Sequence, residues 1–143
     1  MKISEIEKVR IDIQSDGVSA MSLMISRIGE MMRQGSGNFP ADEFVADGDI
    51  DPNIFLQLIE DLDEKIFPHA AVYDHPEKLG QPLTYSIAFL DKQDRTLVFE
   101  FRFGTETKDV GDLLPYFEQF ISKALILTND WYQLEKKESE NPH

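Results

Sequence analysis

The stretch TYSIAFLDKQDRTLVFEFRF, residues 84–103, carries the clearest structural signal in the chain. Large apolar side chains occupy every second position in both of its halves: Tyr85, Ile87 and Phe89, then Leu97, Phe99, Phe101 and Phe103. A period of two is typical of a strand with one buried face. The polar residues 91–95 between the halves favour a reversal of the chain. The stretch therefore predicts an antiparallel hairpin with an aromatic-rich buried face.

Two further elements are expected before this hairpin. Val9, Ile11 and Ile13 alternate with polar residues and predict a half-buried strand. Residues 18–33 have apolar side chains at helical spacing, and they predict a helix that ends at the glycines of residues 35–38. The apolar positions of that predicted helix are Val18, Met21, Met24, Ile25, Ile28, Met31 and Met32.

Two more helices are expected around the hairpin. Asp51 followed by Pro52 is a strong helix start, an N-cap with proline at the first helical position. This helix is expected to span residues 52–67, and residues 39–51 before it are expected to form an irregular acidic connection. A last long helix is expected between residues 109 and 128. Pro115 is tolerated only in a first turn, so that helix should begin near Leu113 or Leu114.

The predicted element order is β-α-α-β-β-α, to which a short helix or strand can be added at the start or near residues 70–73. Helices and a hairpin that do not alternate as βαβ units favour an α+β fold. Its antiparallel sheet is expected to consist of the N-terminal strand and the central hairpin, with about three helices packed on it. Residues 1–135 are expected to form a single α+β domain, and residues 136–143 a disordered C-terminal tail.

Composition excludes several classes of protein. The chain has 143 residues and no cysteine, so disulfides, thiolate metal sites and cysteine nucleophiles are excluded. The N-terminal residues alternate charged and apolar side chains and do not resemble a signal peptide. No apolar run approaches the length of a membrane span. We therefore expect a cytoplasmic protein with no direct membrane contact.

The negative charge is concentrated in one part of the chain. The net charge is −13, and residues 41–80 contribute −9 of it, from eleven carboxylates against Lys65 and Lys78. Such a field disfavours direct nucleic-acid binding and favours encounter with a basic protein partner. The alternative is an acidic surface that only keeps the chain in solution.

Two sets of residues are candidates for binding. The first is an acidic face on the 52–67 helix and the connection before it: Asp42, Glu43, Asp47, Asp49, Asp51, Glu60, Asp61 and Glu64. This acidic face is expected to bind a basic partner. The alternative is that it is ordinary solvated surface. The second is a set of methionines: Met21, Met24, Met31 and Met32. Methionine side chains suit self-association, so a homodimer is one expectation. The alternative is that these methionines belong to the ordinary core.

No residue set in the chain predicts catalysis. Asp47, Asp49 and Asp51 have the spacing that opens a calcium-binding EF-hand loop, but Pro52 stands where that loop needs glycine and Leu58 where it needs glutamate. We therefore interpret them as an acidic loop with a capping Asp51. No catalytic residue, metal ligand or cofactor is expected.

Three functions remain open from the sequence. The first is a non-enzymatic acidic binding protein, for example an inhibitor or immunity-type protein that covers the basic site of a nuclease or another nucleic-acid-binding partner. The alternative is a dimeric secretion-type chaperone or adaptor. The third hypothesis is a metal-dependent hydrolase that uses Asp47, Asp49 and Asp51.

Overall fold

A seven-stranded sheet with helices on one face forms the protein. The computed structural model describes residues 1–15, 17–36, 43–74, 83–102 and 113–140. The strands are β1 (Lys8–Ser15), β2 (Val18–Ser26), β3 (Glu30–Gln34), β4 (Val45–Asp49), β5 (Val72–Asp74), β6 (Leu83–Leu90) and β7 (Thr96–Arg102). The helices are α1 (Pro52–Ile59), α2 (Leu113–Glu140) and two short 3₁₀ helices, Ile3–Glu5 and Glu64–His69.

The sheet has the strand order β4-β3-β2-β1-β6-β7-β5. Neighbouring strands are antiparallel except β5 and β7, which pair in parallel. Strand β1 lies in the middle, paired with β2 along one side and with β6 along the other. The predicted antiparallel sheet is therefore corrected to a mixed one, and the predicted order β-α-α-β-β-α is wrong, because four strands precede the first α-helix.

The helix predicted over residues 18–33 is wrong, and its residues form the antiparallel hairpin of β2 and β3. Met21, Leu23 and Ile25 are buried and alternate along β2 with partly exposed side chains. The chain reverses at Gly29, whose φ of +91° is rarely adopted by residues with a side chain. The strand alternation was present in the sequence beside the helical spacing, and pairing with β1 decides between them.

Residues 39–51, expected to be irregular, contribute strand β4. Strand β5 was expected only as a possible short element, and it pairs with β7 at the far edge of the sheet. The hairpin expected over residues 84–103 is present as β6 and β7, with Ile87, Phe89 and Phe99 completely buried.

Helix α1 begins as predicted, with Pro52 in the first turn and the carboxylate of Asp51 accepting a hydrogen bond from the Asn53 N–H at 2.9 Å. It ends at Ile59, well before the expected residue 67. A second capping carboxylate explains the early end, since Asp63 accepts from the Lys65 N–H at 3.0 Å and starts the 3₁₀ helix Glu64–His69.

The described part of helix α2 starts at Leu113, and the helix packs through Phe117 onto the hairpin. Residues 103–112, which include the positions from 109 onward where the helix was expected, lie outside the described residues. The ring of Phe117 lies 4.7 Å from that of Phe99 and 5.7 Å from that of Phe101, measured between centroids. The helix continues through Glu140, so residues 136–140, expected to belong to a disordered tail, are helical. Residues 141–143 lie outside the described residues.

The turn between β6 and β7 is built around the buried carboxylate of Asp91. It accepts from the backbone N–H groups of Gln93 and Arg95, both at 2.9 Å, and from the Arg95 Nε at 2.6 Å. Burial alone would raise the pKa of Asp91, but these hydrogen bonds outweigh burial and hold the pKa below its ordinary value of 3.8.

Asp91→Asn should therefore change how stability depends on pH. A carboxyl group with a lowered folded-state pKa stabilises the protein above its unfolded pKa, and this stabilisation is lost as the pH falls through the folded value. We expect the variant to be less stable at neutral pH and to lose less stability below about pH 4. Denaturant unfolding at a series of pH values measures both. Parallel wild-type and variant profiles would contradict the role given to Asp91.

Gly29→Ala should destabilise the protein more than Gly17→Ala does. Both glycines have positive φ, which costs a side chain about 1–2 kcal/mol. A Cβ at Gly17 meets nothing within 4 Å, whereas one at Gly29 would clash with the Ile50 carbonyl oxygen and lie 3.3 Å from Pro52 Cγ. We expect a loss of about 1 kcal/mol at position 17 and at least about 3 kcal/mol at position 29, measured by denaturant unfolding. Equal losses would show that the close approach of Ile50 is unimportant.

Candidate binding surface

Strand β4 lies at one edge of the sheet, and its two carboxylates lie on the face against which none of the described helices packs. We call this the uncovered face. Asp47 and Asp49 are exposed, while Ala46 between Val45 and Asp47 is buried. The Ile50 N–H donates to the Gly29 carbonyl oxygen at 2.8 Å. Because backbone groups alternate in direction along a strand, the N–H and carbonyl groups of every second residue before Ile50 also point towards β3. The backbone groups of the others, Asp47 and Asp49 among them, point away from the sheet.

Trp131 of α2 closes one end of this edge. Its indole Nε1 donates to the carbonyl oxygen of Asp49 at 2.9 Å. A Cβ on Gly48 would be 3.8 Å from the indole ring, an ordinary contact distance, so the ring packs directly against the strand. Trp131 is the only tryptophan of the chain, and its fluorescence therefore reports on this edge.

Glu30 joins these carboxylates from the neighbouring strand. It lies directly opposite Asp49 in the pairing of β3 with β4, on the same face of the sheet. Like charges at directly opposite positions repel each other and are destabilising unless a cation or a basic group lies near them. We name Glu30, Asp47 and Asp49 the β4 acidic cluster. Within the described residues, none of the three forms an ion pair.

The sequence did not predict that Glu30 belongs with Asp49. Glu30 was placed on the helix expected over residues 18–33, where it had no relation to the acidic connection. The signal that could have found it is the alternation of Met21, Leu23 and Ile25 followed by Gly29, which is a strand and a turn.

The other predicted acidic residues are not part of this cluster, because most of them hold the fold together. Glu60 and Asp61 at the end of α1 both contact Lys123 of α2, at 3.5 Å and 2.9 Å between Nζ and carboxylate oxygen. Glu64 accepts from the Ile3 N–H at 2.8 Å, and Asp51 caps α1.

The remaining two predicted acidic residues are not part of the β4 acidic cluster either. Glu43 is exposed and lies two residues before β4. Asp42 lies outside the described residues. The continuous acidic face expected from the sequence is therefore divided, with the β4 acidic cluster at one end of α1 and the Lys123 contacts at the other.

A groove of about 210 Å³ lies between α1 and α2 beside the Lys123 contacts, lined by Leu58, Phe120 and Tyr116 among others. The Tyr116 hydroxyl accepts from the Asp63 N–H at 3.1 Å and donates to the Asp61 carbonyl oxygen at 3.3 Å. Burial raises the pKa of Tyr116, so the hydroxyl stays protonated at neutral pH. Its contacts join α2 to the segment that follows α1.

The four candidate methionines divide between the two faces of the sheet. Met21 and Met31 are buried in the core beneath the helices. Met24 and Met32 are partly exposed and lie directly opposite each other on the uncovered face. The structure therefore leaves only Met24 and Met32 available for self-association through that face.

Arg33 holds the end of β3 onto α2 and so supports the neighbouring edge strand. Its side chain is 1% exposed, with the guanidinium 4.7 Å from the centroid of the Tyr132 ring. It donates to the carbonyl oxygens of Gly35 and Leu125 and to the Thr128 hydroxyl, at 3.0–3.1 Å. Burial lowers the pKa of Arg33 below its ordinary value, and the nearby Tyr132 partly offsets this.

The geometry of the three aspartates does not favour a metal-dependent hydrolase. The carboxylate of Asp51 is engaged in capping α1, while Asp47 and Asp49 stand on an extended strand, where residues two apart are separated by about 7 Å. Within the described ranges, no group of three or more acidic or histidine side chains is arranged to hold a metal ion.

No protein-family model and no curated protein sequence matches this chain. Among the described residues, no helix has both the length and the apolar character that crossing a membrane requires.

Trp131→Phe should loosen the β4 edge. The variant keeps an aromatic ring but loses the hydrogen bond to Asp49, which costs about 1 kcal/mol in the free energy of unfolding. Denaturant unfolding followed by circular dichroism measures this loss. Hydrogen exchange at the amide of Ile50, which is bonded to Gly29, should become faster while exchange in β1 is unchanged. Unchanged exchange at Ile50 would show that the indole does not hold this edge.

Proposed function

We propose that this protein is a non-enzymatic binding protein that engages a basic protein partner through the β4 acidic cluster. The observation that carries the proposal is the like-charge pair of Glu30 and Asp49 beside Asp47, all exposed and none in an ion pair among the described residues. Bringing lysine or arginine side chains of a partner to this edge relieves the repulsion and pairs all three carboxylates.

The available backbone of β4 adds a second reason. Asp47 turns its N–H and carbonyl groups away from β3, so an extended segment of the partner can pair with it as an added strand. A basic side chain of that segment would then lie opposite Asp47, while the Asp49 carbonyl oxygen stays bonded to Trp131. Backbone hydrogen bonds would supply affinity, and the charges would supply orientation and a fast association rate.

The class of partner follows from the total charge. With a net charge of −13, the protein attracts surfaces that have evolved to bind phosphate groups. A protein that covers the basic site of a nuclease or of another nucleic-acid-binding protein is the form of the function that we favour. The lack of cysteine supports a cytoplasmic location for it.

The dimeric chaperone or adaptor remains the second candidate, favoured by the pair Met24 and Met32 on the uncovered face. The two functions differ in their dependence on salt. Binding through the β4 acidic cluster weakens strongly as salt is raised, whereas a chaperone holds apolar segments with little dependence on salt.

Asp47→Lys/Asp49→Lys should abolish capture of the partner. Affinity capture from lysate of the source cells, at low and at high salt and with mass spectrometry of the eluate, should recover a basic protein with the wild-type chain at low salt only. The double variant should recover none of it, because two attractive contacts become repulsive. With the purified partner, titration calorimetry should show a loss of affinity of at least about tenfold.

The matched control is Glu118→Lys/Glu140→Lys, which makes the same change in net charge on exposed positions of α2. The control should capture the partner as the wild-type chain does. Equal losses in both variants would indicate that only total charge matters and would contradict a specific edge. Capture that survives the change at Asp47 and Asp49 would refute the proposal.

A further inference from the structure

The uncovered face of the sheet carries a row of four side chains, one from each of four neighbouring strands. Asp47 of β4 lies opposite Met32 of β3, Met32 lies opposite Met24 of β2, and Met24 lies opposite Arg10 of β1. Across the sheet, the row therefore reads Asp47, Met32, Met24, Arg10. A carboxylate stands at one end, a guanidinium at the other, and two adaptable apolar side chains lie between them.

The next row along the strands has the same charges at its two ends. Asp49 lies two residues beyond Asp47 on β4, and Lys8 lies two residues before Arg10 on β1, which runs in the opposite direction. The four charged side chains are exposed. Within the part of the chain that the structure describes, none of them forms an ion pair. In these two rows the β4 side is negative, with Glu30 beside Asp49, and the β1 side is positive. Farther along β1 on the same face, Asp12 accepts a hydrogen bond from the Ser22 hydroxyl at 2.7 Å.

We propose that a second copy of this chain covers this face, with a two-fold axis parallel to the strands and between β2 and β3. Such an axis places β1 of each copy over β4 of the other, and β2 over β3. Asp47 of each copy then faces Arg10 of the other, and Asp49 faces Lys8. Met24 of each copy packs against Met32 of the other.

The charge pattern is what selects a second copy as the occupant. Reversing the row exchanges its negative and positive ends, so the face is its own electrostatic complement under this rotation. A wholly basic partner fits only the β4 half of the face, and a wholly acidic partner fits only the β1 half, whereas a second copy fits both halves at once. A two-fold interface in which one patch binds itself is the commonest form of association between identical subunits.

The size of the patch predicts how strong the dimer is. Four strands about 4.8 Å apart, over the five residues of β3, cover about 19 Å by 17 Å. Two sheets that pack face to face also turn by about 30° relative to each other, which limits the contact to the rows near the axis. The two copies together would bury about 650 Å², well below the about 1,200–2,000 Å² of stable interfaces, so the dimer is weak and depends on protein concentration and salt.

The inference does not rest on the proposed function, because the dimer needs Arg10 and the basic partner does not. The two share Asp47, so a second copy and a basic partner exclude each other. A variant at Arg10 therefore separates them, since it loses the dimer and keeps the β4 acidic cluster.

Charge exchange between two variants tests the dimer. In sedimentation experiments at low salt, the wild-type chain should be a dimer at high concentration, and at high salt it should be a monomer. Arg10→Glu alone and Asp47→Arg alone should each raise the dissociation constant by at least about tenfold. An equimolar mixture of the two variants should form a heterodimer. At one contact the introduced glutamate meets the introduced arginine, and at the other the native Asp47 meets the native Arg10.

The double variant Arg10→Glu/Asp47→Arg should also dimerise, since both contacts are restored with exchanged signs. Lys92→Glu, a matched reversal of a positive charge at an exposed position of the β6–β7 turn, should leave the dimer unchanged. A wild-type chain that stays monomeric at every concentration in low salt would overturn the proposal. A dimer that neither single variant weakens would also overturn it and would indicate another face, such as the side of α2 that exposes Ile126.

Discussion

The pairing of β1 with a strand on each side is the interaction on which the rest of the structure depends. Along its whole length, Lys8–Ser15 pairs with β2, and the same eight residues pair with β6. Among the described strands, only β1 joins the meander of β2, β3 and β4 to the hairpin of β6 and β7 within the sheet. The buried side chains of Val9, Ile11 and Ile13 belong to the hydrophobic core that both halves of the sheet share. A strand paired on both sides also brings distant parts of the chain together, which costs loop entropy that burial must offset.

The helices cover only one face of this sheet, and that asymmetry produces both proposals. Aromatic side chains fill the covered face, where Phe117 lies among Phe89, Phe99 and Phe101. On strands β1 to β4 the other face carries Met24, Met32 and charged side chains, while on β7 it carries the ion pair of Glu100 and Arg102. Since α2 also reaches the far edge, where Trp131 contacts Asp49, the acidic strand β4 is held in a defined position. A carboxylate on a rigid strand is a better binding group than one on a mobile loop, because less conformational entropy is lost when a partner binds.

The parts of the fold that local signals determine could be predicted from the sequence, and the parts that distant pairing determines could not. The hairpin of β6 and β7, the cap at Asp51 and the start of α2 follow from alternation, capping and the position of Pro115. Residues 18–33 satisfy a helical and a strand period at once, so only the pairing with β1 decides. The same limit applies to the candidate site. Asp47 and Asp49 were predicted to bind a basic partner. Glu30 and Arg10 are placed on the same face as these aspartates only by the register of the sheet.

The central claim is that the β4 edge is the contact for a basic partner, and chemical-shift mapping tests it most directly. The full chain, labelled with ¹⁵N, would be titrated with a short peptide of alternating arginine and threonine, a general probe for an added basic strand. If the β4 edge is the contact, the largest shifts occur at Asp47, Asp49, Glu30 and the Trp131 indole N–H, and they disappear at high salt. Shifts centred on the groove between α1 and α2, or spread evenly over all exposed carboxylates, would contradict it.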